Sequence, residues 1–227
     1  RLVGSEMCIR DRYPGAGLYR NVHLIITEDA YIPVWGTYIT TPSVNEKFAK
    51  VNVRTKVVLP EGADPAKYSV ETSVWNPNKQ KLTAVRTSLA QMKYNNNQAE
   101  QEFVIQAPSL WSPEMPALYS AETRLYEGDK LKDIYTTPFG IRSIEIIPDK
   151  GFFLNGKRTV FKGVCNHHDL GPLGAAVNDA AIRRQIRILK DMGCNAIRTS
   201  HNMPAPELIR ACLLYTSDAA DDLTRVD

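Results

Sequence analysis

Residues 160–169 read VFKGVCNHHD and residues 194–202 read CNAIRTSHN, and between them lies a span with helical periodicity. Val160, Lys162 and Val164 alternate with Phe161 and Gly163, which predicts a β-strand delivering Asn166, His167, His168 and Asp169 at its carboxyl end. Asn178 suits a helix N-cap, and Asp179 stands in the first turn, where a carboxylate complements the helix dipole. Ile182, Ile186 and Leu189 recur at helical spacing, and Gly193 stands where a glycine ends a helix. Residues 194–199 predict a second strand, ending in Ser200, His201 and Asn202. Strand, helix and strand in this order make a βαβ unit with parallel strands and a right-handed crossover. Both strands then end on one edge, the edge where α/β folds bind ligands, so His168, Asp169, Arg198 and His201 are expected to converge there.

The whole chain has 227 residues, enough for one or two domains with a sizeable core. Its hydrophobic fraction of 43% and charged fraction of 23% are those of a globular protein. A net charge of +3, with dispersed Lys and Arg, argues against nucleic acid and an anionic membrane as partners. The sequence contains no apolar run long enough to span a bilayer, and localisation stays open. The four cysteines, Cys8, Cys165, Cys194 and Cys212, form no CxxC pair. Cys165 closes the first parallel strand and Cys194 opens the second, at opposite ends of the sheet, so buried free thiols are expected rather than a disulfide.

Working outward, residues 13–142 read as β. Turn-rich Tyr13-Pro14-Gly15 leads into a strand at 18–26, and a second at 31–40 is interrupted by Pro33, which predicts an edge or a bulge. Pro42-Ser43 marks a predicted boundary. Val51, Val53, Thr55 and Val57 alternate with polar residues, as do Val70, Thr72 and Val74. Further strands are predicted at 82–89, 102–106, 119–126 and 131–137, parted by turn formers such as Asn95-Asn96-Asn97 and Gly128-Asp129. Short antiparallel strands at this spacing predict an immunoglobulin-like sandwich, read as a spacer because it gathers no site. Asn155-Gly156 between apolar runs is a hairpin turn, since both turn positions need positive φ.

The two ends differ from what they flank. Residues 1–12 (RLVGSEMCIRDR) lack patterning that joins the next strand, and residues 213–227 abandon the helical pattern begun at Pro206. Both resemble translated adapter sequence, and natural flexible tails are the other reading.

Six motifs occur in order: GLYRNV at 17–22, LWSPE at 110–114, FGIR at 139–142, FLNGK at 153–157, KGVCNHH at 162–168 and NAIRTSHN at 195–202. Together they resemble glycoside hydrolase family 2, which includes β-galactosidases and β-glucuronidases, over residues 13–212. The resemblance implies a mainly β, multi-domain chain: the closing strands of a jelly-roll sugar-binding domain at 13–42, an immunoglobulin-like sandwich at 43–142, and the first βαβ of a (β/α)8 TIM barrel at 143–212. It implies part of a retaining exo-β-glycosidase of β-galactosidase type that hydrolyses terminal β-glycosidic bonds. Such enzymes need two carboxyl groups about 5 Å apart, one acid/base and one nucleophile. In this family both are glutamates on later barrel strands; Glu145 and Glu207 match neither motif, so the residues at hand are expected to be inactive alone. By resemblance, His168 and His201 would hydrogen-bond sugar hydroxyls, and Arg198 would keep the nucleophile ionised, with Asn166 and Asp169 in support. Of His167 and His168, neighbours on an extended strand, one is expected to face away, and the family pattern favours His168 as the inward one.

The implied partner is a β-linked oligosaccharide or glycoside, with homo-oligomers in the parent enzyme. No cofactor is implied for these residues; a divalent cation in the parent would be held by residues outside this stretch. Two other readings stay open. One is a metal-dependent barrel hydrolase using Cys165, His168, Asp169 and His201, against which the i, i+2 histidine placement of such barrels counts. The other is a non-catalytic carbohydrate-binding module, against which the scatter of Trp35, Trp75 and Trp111 counts. A barrel opening of two strands also leaves apolar faces without neighbours, so this part is expected to be fluid or prone to aggregate, whereas the sandwich is expected to fold alone.

Overall fold

The computed structural model describes residues 20–90, 98–200 and 203–214. The chain divides into two units, Ile25–Thr159 and the described parts of Arg1–Leu24 and Val160–Asp227.

The first unit holds strands β1 (Thr37–Val44), β2 (Phe48–Lys56), β3 (Tyr68–Trp75), β4 (Lys81–Ser88), β5 (Gln98–Gln106), β6 (Leu118–Glu127) and β7 (Lys130–Gly140). They form two antiparallel sheets, ordered β1-β2-β5 and β4-β3-β6-β7. Alternation decides the faces: Ala49, Val51, Val53 and Thr55 of β2 are buried, whereas Lys50, Arg54 and Lys56 are exposed. This is the expected sandwich. Only β5 begins well before the predicted start, at Gln98, because inward Gln101 hides the alternation from a hydropathy reading.

Two expectations are corrected here. Residues 20–26 of the strand predicted at 18–26 form no strand, and Asn21 to Ile26 are exposed; alternation makes a strand only where a neighbouring ladder exists. Pro42-Ser43 is not a boundary. Both lie inside β1, which pairs with β2, so residues 37–42 belong to the sandwich and not to a preceding jelly roll. The register shifts between Thr40 and Ser43, and β1 is an edge strand, where a bulge tolerates a proline that lacks an N–H. Pro33 instead precedes a tight turn closed by Gly36 N to Pro33 O at 2.7 Å, with Trp35 at a φ of 61°. The Asn95-Asn96-Asn97 turn lies outside the described residues.

The same unit contains the hairpin strands β8 (Ile144–Ile147), β9 (Gly151–Leu154) and β10 (Lys157–Arg158), in the order β10-β9-β8. Asn155 and Gly156 have φ of 51° and 74°, the two positive values that this turn demands. The Asn155 side chain accepts from Ser143 N at 3.0 Å and donates to Trp111 O at 3.0 Å, tying hairpin to sandwich. The Arg142 guanidinium lies 4.7 Å from the Trp111 ring centre.

The second unit contains β11 (Gly163–Asn166), α1 (Asp179–Asp191), β12 (Ala196–Thr199) and α2 (Pro206–Leu214). β11 and β12 pair in parallel, with Gly163 opposite Ala196 and Asn166 opposite Thr199. Asn178 Oδ1 caps α1 by accepting from Ala181 N at 3.0 Å. At the far end Gly193 N bonds Lys190 O and Cys194 N bonds Leu189 O, a Schellman closure with Gly193 at a φ of 85°. Ile182, Ile186 and Ala211 are buried together, packed by Leu170, Val177, Ile197 and Leu208. Helix α2 runs past residue 213, the expected start of a foreign tail, to Leu214. Among the described residues no helix is long and apolar enough to cross a membrane.

Candidate functional site

β11 starts three residues later than predicted, because the approach to it is held by a side chain. Lys162 N donates to Asn195 Oδ1 at 2.8 Å, and Asn195 Nδ2 donates to Val160 O at 3.0 Å. Gly163 allows the strands to meet: a Cβ there would lie 2.2 Å from Ala196 O. The pairing ends at Asn166 and Thr199, after which Ser200 N still donates to Asn166 O at 2.9 Å. Both strands therefore open on one edge.

Alternation then sorts the polar groups. Asn166 turns to α1, where its Nδ2 donates to Gln185 Oε1 at 3.2 Å and its Oδ1 accepts from Gln185 Nε2 at 3.1 Å. Its neighbour Cys165 and the register partner Arg198 take the opposite face. Arg198 donates to Cys165 Sγ at 3.7 Å and to Ser200 Oγ at 3.1 Å.

At the open edge lies a cleft of about 530 Å³, solvent at its mouth included. Leu170, Val177, Ile182 and Leu208 form its apolar floor; Arg20, Asn166, His167, His168, Gln185, Thr199 and Ser200 supply its polar groups. Arg20 also donates to Met203 O, and Asn21 Nδ2 to Glu207 Oε1 at 2.7 Å, which fastens the segment before residue 25 to α2. The arrangement presents imidazole, amide and hydroxyl groups over an apolar base, the pattern of a site for a small polar molecule.

The predicted residues meet this geometry unevenly. Asn166 and His168 line the cleft; Arg198 and Asp169 are not among its walls, although Arg198 reaches Ser200, which is. His201 lies outside the described residues, while Thr199 and Ser200 bring its strand to the cleft. His167, expected to face away, lines the cleft with His168, because both residues follow the end of β11 and the two-residue alternation stops there. Gln185 was not predicted. Its signal is its place between inward Ile182 and Ile186 on α1. Among the described residues no three His, Cys, Asp or Glu side chains gather to hold a metal ion, so Cys165, His168 and Asp169 do not converge. Cys165, Cys194 and Cys212 are free thiols, with Cys194 half-buried and the other two exposed rather than buried as expected.

Residues 31–142 match the family described as "Glycosyl hydrolases family 2", and residues 145–215 match its TIM barrel domain. The chain belongs to glycosyl hydrolase family 2. Among similar proteins, the β-galactosidase BoGH2A of Bacteroides ovatus is 43% identical over 88% of the chain and 23% of its own length. A β-glucuronidase of Bacteroides fragilis is 34% identical over 82% of the chain and 27% of its own length. The crystal structure of a family 2 member from Bacteroides cellulosilyticus superposes with a TM-score of 0.79 at 36% identity, covering 88% of the chain and 26% of that structure. The family 2 chain thus spans about a quarter of the length of these relatives. In family terms its first unit is the sandwich, and β11, α1 and β12 are the start of the barrel.

Proposed function

We propose that the chain is part of a retaining exo-β-glycosidase of β-galactosidase type, acting on terminal β-linked sugars. The observation that supports this reading is the shared open edge of β11 and β12, where Asn166, His168 and Ser200 line one cleft in a chain 43% identical to a named β-galactosidase. In a TIM barrel that edge carries the active site. The face of Cys165 and Arg198, turned away from α1, is the one a closed barrel encloses. Arg198 there sits beside the nucleophilic carboxylate and keeps it ionised, while His168 and His201 hydrogen-bond sugar hydroxyls as the ring distorts. The two glutamates come from barrel strands other than β11 and β12.

The reading is tested by expressing the uninterrupted reading frame of the source DNA and assaying aryl β-galactoside, β-glucuronide and β-mannoside. Preferred galactoside turnover, lost on replacing the glutamate of a downstream Asn-Glu strand end, is expected. Preference for the glucuronide overturns the sugar assignment, and absence of turnover on all three overturns the enzyme.

A further inference from the structure

The core of the sandwich is not apolar throughout. Its buried residues fall into two clusters, one around Val51, Val53, Val74, Phe103 and Ala121, the other around Val57, Val70, Ala99 and Leu125. One inward polar residue separates the clusters on each of five strands, Thr55 and Gln101 on β2 and β5 and Thr72, Thr123 and Thr137 on β3, β6 and β7, and a sixth, Thr37, begins β1 two residues before Ile39 of the first cluster. On β2 Thr55 lies between Val53 and Val57; on β3 Thr72 lies between Val74 and Val70; on β6 Thr123 lies between Ala121 and Leu125. Register sets Thr37 opposite Thr55 and Thr72 opposite Thr123, while Gln101 and Thr137 stand two residues along, opposite Val53 and Ala121.

Each of the six has a buried side-chain oxygen with no hydrogen-bond partner among the described residues. Thr72 and Thr123 are 0% exposed and Thr55 is 1% exposed. The Gln101 amide nitrogen is engaged, with Val70 O at 3.3 Å, Val85 O at 3.1 Å and Thr87 Oγ1 at 3.4 Å, which leaves Oε1 as the orphan. Buried polar groups are almost always paired, and six unpaired oxygens in one domain would rival its whole stability. Rotating the hydroxyls toward one another is restricted, because β-branched threonine has few χ1 states in a strand.

We propose that this layer is a buried hydration site, in which internal water bridges Thr55, Thr72 and Thr123 Oγ1 and Gln101 Oε1 between the two sheets. Water fits chemically: it donates to the acceptor-only amide oxygen and both donates to and accepts from hydroxyls. With about three hydrogen bonds per buried water, the six oxygens correspond to about two molecules.

Two measurements on the full chain test the site. Water-to-protein cross-relaxation in NMR is expected at the Thr55, Thr72 and Thr123 methyl groups, with NOE and ROE of opposite sign as for long-lived bound water; its absence overturns the proposal. Thr55→Val, Thr72→Val and Thr123→Val are each expected to lower the urea midpoint, because the isosteric change strands the water's other partners. Midpoints that rise in all three overturn it, since a dry layer gains by losing unpaired hydroxyls. If a valine variant does not fold, the cross-relaxation on the unsubstituted chain still decides.

Discussion

Asn166 on β11 and Gln185 on α1 form a reciprocal amide pair, each donating to the other's oxygen at 3.2 and 3.1 Å. The pair joins helix to strand where the cleft opens, beside the apolar cluster of Ile182, Ile186 and Ala211, so one contact serves both packing and site geometry. Replacing Asn166 by Ala or Gln185 by Leu removes it from either side. A double-mutant cycle read by urea denaturation is expected to give a coupling of about 1 kcal/mol, in line with a half-buried neutral pair. A coupling near zero would mean the pair adds nothing to docking.

Gly163→Ala places a methyl group where Ala196 O stands, at 2.2 Å. Backbone on the partner strand cannot swing aside as a side-chain tip can, so β11 and β12 must separate. A loss of about 1–3 kcal/mol is expected. It is checked by the denaturation midpoint and by faster amide exchange at Ser200, whose N–H bonds Asn166 O.

Asn155 does two jobs, holding a positive φ and bridging Ser143 N to Trp111 O. Asn155→Gly keeps the turn and loses the bridge; Asn155→Asp keeps the acceptor for Ser143 N and loses the donor to Trp111 O. Hydrogen exchange at Ser143 is expected to accelerate in the glycine variant and to stay near its original rate in the aspartate variant. Equal acceleration in both would show that the side chain does not hold that amide.

Lys132 Nζ lies 2.8 Å from Glu28 and 3.0 Å from Glu127, which ties the segment before β1 to β7. Hydrogen bonds from Lys132 hold both carboxyl groups below their ordinary range, and the same bonds raise the ammonium. The carboxylates therefore stabilise the fold above their unfolded pKa of about 4.3 and lose that contribution as pH falls through their lower folded values. The raised Lys132 contributes below its unfolded pKa of about 10.4 and is lost only as pH climbs beyond it. Lys132→Met is expected to flatten the fall of the denaturation midpoint between pH 5 and pH 2, as followed by fluorescence. An unchanged slope would assign the acid sensitivity to other carboxylates.

The purified chain is expected to show no turnover of aryl β-galactosides or β-glucuronides. Retention needs two carboxyl groups about 5 Å apart across the sugar, and neither Glu145, on the hairpin strand β8, nor Glu207, in the first turn of α2, occupies a barrel-strand end. Release of nitrophenol above the blank, abolished by a covalent glycosidase inhibitor, would overturn this.

Much of the local structure was legible in the residues alone. Asn178 and Gly193 bounded α1, Asn155-Gly156 marked the hairpin turn, and alternating Val51, Val53, Thr55 and Val57 marked β2, because caps, turns and one-face burial depend on neighbours a few residues away. The same reasoning failed at residues 20–26 and at Pro42, where alternation and a proline were local facts whose meaning depended on whether a ladder partner existed and where its register slipped.

A β-sandwich followed by a βαβ unit, and the ordered motifs that mark family 2, could be read from the residues without coordinates. Long-range pairing settled that β1 joins β2, that His167 shares the cleft with His168, that Asn166 faces Gln185 while Arg198 faces Cys165, and that six polar residues from six strands each bury an oxygen inside the sandwich. The difference is one of range. Periodicity tells which face a residue takes, but which groups meet on that face is set by strand order and register among residues tens of positions apart.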